Sequence, residues 1–253
     1  MRVVAGVDAL EASDGPLFVV VGVFDGLHRG HRYLLDHLET EAAARSARPT
    51  VITFDHHPDE VLTGHAPPLL LDPEERVDRL AAAGVAVTVV QHFDTTLRQT
   101  PYDAFVARIR DRTALRGFVM TPDAAFGFER RGTPETLSAL GAREGFEVVV
   151  VPPFTLDGRA VRSSDVRGAI AAGDLATAAD LLGRPVTLTG DRDPGGRLAL
   201  TMPMALPPAG RYAGRVDGVA VDVSIDDAGV AVLGDAPSGR VTVELMEEGT
   251  GDG

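Results

Sequence analysis

The sequence predicts an α/β fold with a doubly wound parallel sheet, followed by a small antiparallel β domain. Three observations carry that expectation. Apolar, strand-like runs alternate with amphipathic, helix-like segments over the first two-thirds of the chain, the pattern of repeated strand–helix units. Asp, Pro and Gly stand where helices begin and end. From about Arg184 the texture changes to short alternating segments separated by Gly, Pro and Asp, as in a small antiparallel sheet or barrel.

Taken in order, "PLFVVVGVF" (16–24) is a continuous apolar run bounded by Asp-Gly on both sides, which fits a strand buried on both faces. "GHRYLLDHLETEAAARSA" (30–47) places Leu34, Leu35, Leu38 and Ala42 on one stripe with charges opposite, an amphipathic helix. "PTVITF" (49–54) is a second strand. "DPEERVDRLAAAG" (72–84) carries Asp at the cap, Pro in the first turn and Gly at the end. A third strand, "VAVTVVQHF" (85–93), a helix (100–112), a fourth strand "LRGFVM" (115–120), a helix (133–145) and a fifth strand (146–154) follow. Two short helical patterns, 163–173 and 174–183, lead into the β-rich tail. In open parallel sheets ligands bind beyond the carboxyl ends of the strands, so attention falls on 24–31, 54–60, 120–132 and 154–165.

Composition narrows the chemistry. The chain has 253 residues, 37 acidic against 24 basic, and a formal charge of −13, which argues against nucleic acid or an anionic membrane as main partner. It has no Cys, so disulfides, thiolate metal sites and cysteine nucleophiles are excluded. It also has no Lys; any phosphate must be held by Arg, His, hydroxyls and backbone amides. The amino terminus does not read as a signal peptide, and no apolar run approaches the ~20 residues that span a bilayer. A soluble, cytoplasmic protein is the expectation.

The segment "VVVGVFDGLHRGH" (19–31) is the most informative. A strand ending in glycine lets backbone amides approach a ligand closely, and a helix starting at once points free N–H groups and its positive dipole end at the same place. His28 and His31, in the loop and first helical turn, would project towards an anion held there and donate hydrogen bonds to it, neutral or cationic. The competing readings are two surface histidines beside a helix start, and a metal pair. The latter is the weaker, because the spacing is i,i+3 rather than i,i+4 and lacks an acidic partner.

The string resembles the H-x-G-H signature of the nucleotidyltransferase superfamily, with its Rossmann-like fold. "GVFDGLHRGHRYLL", "ITFDHHPDEVL", "LLLDPEERVDRLAAAGV", "AAFGFERRGT", "VRSSDVRGAI" and "AADLLGRPVTLTG" appear in that order. Together, from about Phe18 to Gly190, they resemble the adenylyltransferase module of prokaryotic bifunctional riboflavin kinase/FMN adenylyltransferases (FAD synthetases). The resemblance implies transfer of AMP from ATP to FMN with Mg²⁺ on the phosphates and no metal ligand from the protein.

It further implies that His28 and His31 bind phosphate, and that Gly22, Val23, Phe24, Asp25 and Gly30 shape the ATP site. Phe54, His57 and Pro58 match the F-x-P-H-P segment on the flavin side, with His56 in place of its first Pro. Asp123, Phe126 and Gly127 match the G-x-[DN]-F-x-F-G loop, with Thr121 and Ala124 replacing its first Gly and first Phe. Ala124 removes an aromatic surface on which a flat ring would pack. In "VRSSDVRGAI", Ser163, Ser164 and Arg167 match the R-[IV]-S-S-T-x-[IV]-R segment, and Arg159 or Arg162 supplies its leading charge after a small shift. Hydroxyls at a helix start with an arginine one turn in suit the β- and γ-phosphates.

In that family a flavokinase barrel bearing G-x-P-T-A-N follows. Here 191–216 contains no P-T-A-N, so the resemblance implies a shortened, kinase-inactive β domain at 185–248 after a nucleotidyltransferase domain at 1–184, with a disordered tail at 249–253. Two other readings stay open: a paralogue using another phosphate-bearing acceptor or CTP, and a flavin- or nucleotide-binding protein without catalysis. The oligomeric state is not set by the sequence.

Overall fold

Six strands form one wholly parallel sheet in the computed structural model of the protein, which describes residues 1–246. They are β1 (Arg2–Ala5), β2 (Leu17–Val21), β3 (Arg48–Phe54), β4 (Val87–Gln91), β5 (Leu115–Met120) and β6 (Glu147–Val150). Between them run α1 (Arg29–Ala44), α2 (Pro58–Thr63), α3 (Pro73–Ala82), α4 (Thr95–Arg98), α5 (Tyr102–Arg110) and α6 (Pro134–Glu144). The strand order is β1-β4-β3-β2-β5-β6. The chain therefore moves outward from β2 on one side and returns to add β5 and β6 on the other. The carboxyl ends of β2 and β5 flank the switch point where such sheets take ligands.

The five predicted strands and the longer helices form where their punctuation places them. Thr133 caps α6, with Pro134 behind it and Gly145 (φ 81°) closing it in the left-handed region. β1 is an addition: Arg2–Ala5 is too short to show a period, and it becomes a strand by pairing in parallel with β4, Arg2 opposite Val87. The core of this unit is dry. Leu17, Val19, Ile52, Val87, Phe118 and Leu137 have no exposed surface, each worth roughly 1.5–3 kcal/mol of burial.

The second unit begins with a two-stranded hairpin, β7 (Thr155–Leu156) and β8 (Arg159–Ala160), and a helix pair, α7 (Ser163–Ala171) and α8 (Leu175–Leu182). Six antiparallel strands follow: β9 (Val186–Arg192), β10 (Arg197–Leu200), β11 (Gly210–Val216), β12 (Val219–Asp226), β13 (Gly229–Leu233) and β14 (Gly239–Met246). They close into a barrel ordered β10-β13-β12-β11-β14-β9. Each alternating segment of the tail becomes one strand. Closure rests on β9, which pairs with both β10 and β14.

Compactness divides the chain elsewhere than at residue 184. One unit holds Met1–Phe24, Gly30–Pro67 and Val77–Phe154; the other holds Asp25–Arg29, Pro68–Arg76 and the described residues from Thr155 onward. The reason is where the apolar faces go. Val166, Ile170, Leu175 and Leu182 of the helix pair share one core with Val186, Leu188, Val223 and Val243 of the barrel. Segment 68–76 joins them through polar bonds: the buried Glu75 carboxylate accepts from Thr187 Oγ1 (2.8 Å) and Thr189 Oγ1 (2.7 Å), and Arg240 Nη2 lies 2.5 Å from Asp72 Oδ1. The expected tail at 249–253, and the last two residues of the expected 185–248 domain, lie outside the described residues.

Candidate active site

The loop that leaves β2 is held in an unusual backbone. Phe24 (φ 53°) and Leu27 (φ 41°) occupy the left-handed region without being glycine, a conformation that costs of order 1 kcal/mol or more and persists only when surroundings enforce it. Gly26 (φ 86°) is required: a Cβ there would lie 2.8 Å from Leu70 Cδ1.

The enforcement is visible within the barrel-containing unit. Asp25 is buried, and its Oδ1 accepts from the amides of Leu70 (2.8 Å) and Leu71 (3.2 Å). Arg167 Nη2 donates to Asp25 Oδ2 (2.5 Å) and its Nε donates to the Pro68 carbonyl (2.8 Å). Ser163 Oγ donates to the Asp25 carbonyl (3.0 Å), and Arg184 Nη2 to the Gly26 carbonyl (2.9 Å). Three residues expected to touch nucleotide, Asp25, Ser163 and Arg167, thus have protein partners that brace the loop. Ser164 is exposed in the first turn of α7. Arg162 is the residue before that helix; its amide donates to Asp165 Oδ2 (3.1 Å).

His28 is 5% exposed. Burial, reinforced by the Arg167 charge and opposed by the Asp165 carboxylate, pushes its pKa down to about 4. Of the two protonation states the sequence allowed, the structure selects the neutral imidazole near pH 7.

In the sheet unit, His31 lies in the first turn of α1, its ring 5.0 Å from that of the buried Phe24. Gly22 has no room for a side chain without crowding Phe24, whose Cε2 would lie 3.1 Å from a Cβ. The Val23 carbonyl accepts from Thr53 Oγ1 (2.9 Å). Gly30 is the second residue of α1.

A cavity of about 320 Å³ opens in the same unit, beyond the ends of β3 and β4. Phe54, Pro58 and Phe126 line it, as expected of flavin-side residues. Phe93, Phe105, Phe128, Arg98 and Arg130 line it too, and none was singled out from sequence. Phe93 closes the third strand-like run, so its place at the carboxyl end of a parallel strand is a signal the sequence carries. His57 and Asp123 are not among the lining residues. His57 Nδ1 accepts the Asp59 amide (3.2 Å) at the start of α2. Asp123 Oδ1 accepts from Thr121 Oγ1 (2.8 Å), and its carbonyl accepts from Arg130 Nη2 (3.2 Å).

A parallel sheet with a glycine-ended strand, a braced loop and His28-Arg29-Gly30-His31 entering a helix defines a nucleotidyltransferase. Residues 10–165 match the family model described as FAD synthetase, and the chain belongs to that family. The bifunctional riboflavin kinase/FMN adenylyltransferase of Haemophilus influenzae is 31% identical over 238 residues, covering 90% of this chain and 77% of that protein. The protein of the same description from Pseudomonas fluorescens is 32% identical over 245 residues, covering 94% and 79%. A crystal structure described as a macrolide-efflux protein from Streptococcus pneumoniae shares the fold, with a TM-score of 0.81, 22% identity and coverage of 98% of this chain and 89% of that one.

Proposed function

We propose that the protein is an FMN adenylyltransferase that makes FAD and pyrophosphate from FMN and ATP, and that it has no riboflavin kinase activity. The observation that carries the reading is the intact His28-Arg29-Gly30-His31 segment inside a stretch matching the FAD synthetase family. A terminal oxygen of the FMN phosphate forms a bond to the α-phosphorus of ATP while the bond from that phosphorus to the bridging oxygen of pyrophosphate breaks. The nucleophile is already ionised, so no general base is needed; positioning and charge stabilisation are the protein's part.

His28, neutral, donates an N–H to a phosphoryl oxygen without carrying charge into the ground state. His31 offers a second N–H donor from the first turn of α1, where helix N–H groups favour an anion. Gly22, Val23, Phe24 and Gly30 give the nucleotide backbone to approach, and Ser164 and Arg162 serve the departing pyrophosphate. Asp25, Ser163 and Arg167 act one step back, by holding the loop. The phenylalanine walls suit a flat isoalloxazine, which compensates for the aromatic missing at Ala124, and Arg98 and Arg130 favour a phosphate-bearing acceptor over an uncharged one.

Mg²⁺ is a hard, oxygen-seeking ion. Among the described residues the one group of three metal-ligating side chains contains two imidazoles, so Mg²⁺ fits the phosphates of ATP and not a protein site. When bound there it neutralises phosphate charge. No described helix is long and apolar enough to cross a membrane; we place the reaction in the cytoplasm, with ATP and FMN as small-molecule partners and no nucleic acid.

The test is chromatography of FAD formed by purified protein from FMN, ATP and Mg²⁺. FAD should accumulate, riboflavin should not be phosphorylated, and His28→Ala or His31→Ala should each lower turnover by roughly 100-fold or more. Protein that binds ATP but forms no FAD sinks the reading.

A further inference from the structure

We infer that Asp55, His56 and His92 form a binding site for a divalent transition-metal ion of the Zn²⁺ or Co²⁺ type. The three side chains come from the carboxyl ends of two adjacent parallel strands: Asp55 and His56 follow β3, and His92 follows β4. Each offers one ligand atom, and these atoms lie within 4.8 Å of one another. His92 Nδ1 is 2.6 Å from Asp55 Oδ2, and His56 Nδ1 is 3.1 Å from Asp55 Oδ1. The two rings are 5.8 Å apart and nearly perpendicular, at 82°, so both imidazoles address one carboxylate from different directions.

Metal–ligand bonds of about 2.0–2.2 Å in a tetrahedral arrangement place ligand atoms roughly 3.3 Å apart. Both contacts to Asp55, 2.6 and 3.1 Å, are shorter than that, as hydrogen bonds are, and they run to its two different oxygens. An ion held by all three groups replaces these hydrogen bonds, and the exposed side chains of His56 and His92 have room to turn towards it. The carboxylate is the fixed member. Its Oδ1 accepts the amides of His56 (2.8 Å) and Phe93 (3.1 Å), and the Asp55 amide donates to the Gln91 carbonyl (3.2 Å). Backbone bonds of this kind orient a ligand before the ion arrives.

Two imidazoles and one carboxylate select borderline transition ions over Mg²⁺ or Ca²⁺. Three protein ligands leave at least one coordination position for water or another donor. That position has a context: Phe54 and Phe93, each adjacent in sequence to a ligand, line the cavity, with rings 5.2 Å apart edge to face. Nothing in the adenylyl-transfer chemistry uses these three residues, and His56 stands where the family pattern has a proline.

The experiment titrates Co²⁺ into the full-length protein, without nucleotide or flavin, and follows its visible absorption. One equivalent should develop intense d–d bands that Zn²⁺ abolishes and excess Mg²⁺ leaves in place. His56→Ala and His92→Ala should each weaken binding by at least roughly 10-fold, and Asp55→Asn should do the same while keeping acceptors for the two amides. His65→Ala, which alters an exposed histidine outside the cluster, should change nothing. Absent bands, displacement by Mg²⁺, or equal affinity in His56→Ala and wild type would overturn the assignment. Because the readout is metal binding alone, its failure is distinct from a failure to make FAD.

Discussion

Around Asp25 the buried charges and carbonyls are bonded to protein, whereas around Phe54 and Phe93 mainly aromatic walls, with Arg98 and Arg130 among them, enclose a cavity. The first region contains residues that match a sequence motif and that serve chiefly as bracing. The second mixes residues that match motifs, Phe54, Pro58 and Phe126, with Phe93, Phe105 and Phe128, which match none, around one cavity. In the first region the side chains that match the motif are taken up by the loop itself, so a motif match does not by itself assign a side chain to a ligand. A carboxylate that accepts two amides and an arginine is committed to its loop; a phenylalanine that lines a cavity turns part of its ring towards that space.

Breaking the first region should give the largest effect. Asp25→Ala leaves Arg167 without its counter-ion and the Leu70 and Leu71 amides without an acceptor, at a cost of about 3–5 kcal/mol. Denaturant unfolding should show that loss, and FAD formation should fall with it. Unchanged stability would show that the bracing is dispensable and that the contrast between the regions is false.

The next effect in size is pH dependence. His28 titrates near 4 when folded and near 6.5 when unfolded. Above pH 6.5 both states are neutral and the group contributes no slope. As pH falls from 6.5 to 4, the unfolded chain takes up a proton that the folded protein refuses, so stability declines, by about 3 kcal/mol in all. Below pH 4 the difference is constant. Unfolding measured across this range should show the decline, and His28→Gln should flatten it.

Cavity substitutions should separate binding from stability. Phe93→Ala removes one wall and the edge-to-face contact with Phe54. It should raise the KM for FMN by roughly 10-fold while costing about 1 kcal/mol of stability. A loss of stability without a change in KM would place the acceptor elsewhere. The smallest effect is expected for Ser163→Ala, which deletes one hydrogen bond to the Asp25 carbonyl, worth about 1 kcal/mol. Turnover should drop only a few-fold. A loss of roughly 100-fold or more would mean that Ser163 also grips phosphate, returning it to the role its motif implies.

The alternation of strands and helices was legible because buried parallel strands read as apolar runs and the helices carry an apolar stripe with end signals. The six barrel strands were legible from their two-residue period. Closure was not, because an open sheet and a barrel share that period and differ only in whether β9 and β10 pair. β1 was illegible because four residues show no pattern until β4 supplies the partner ladder. Grouping α7, α8 and segment 68–76 with the barrel was equally hidden, since it depends on which apolar face meets which.

For the site, the sequence by itself determined the residue types that chemistry at a phosphate requires: glycines at the end of a strand, His28 and His31 at the start of a helix, and no lysine to take their place. Those are properties of local order along the chain, and local order survives in the sequence. Only the tertiary structure decided that His28 is neutral, that Arg167 is spent on Asp25, and that five phenylalanines from four segments wall one cavity. Burial, ion pairing and shared volume arise between residues distant in sequence, and no spacing along the chain records them.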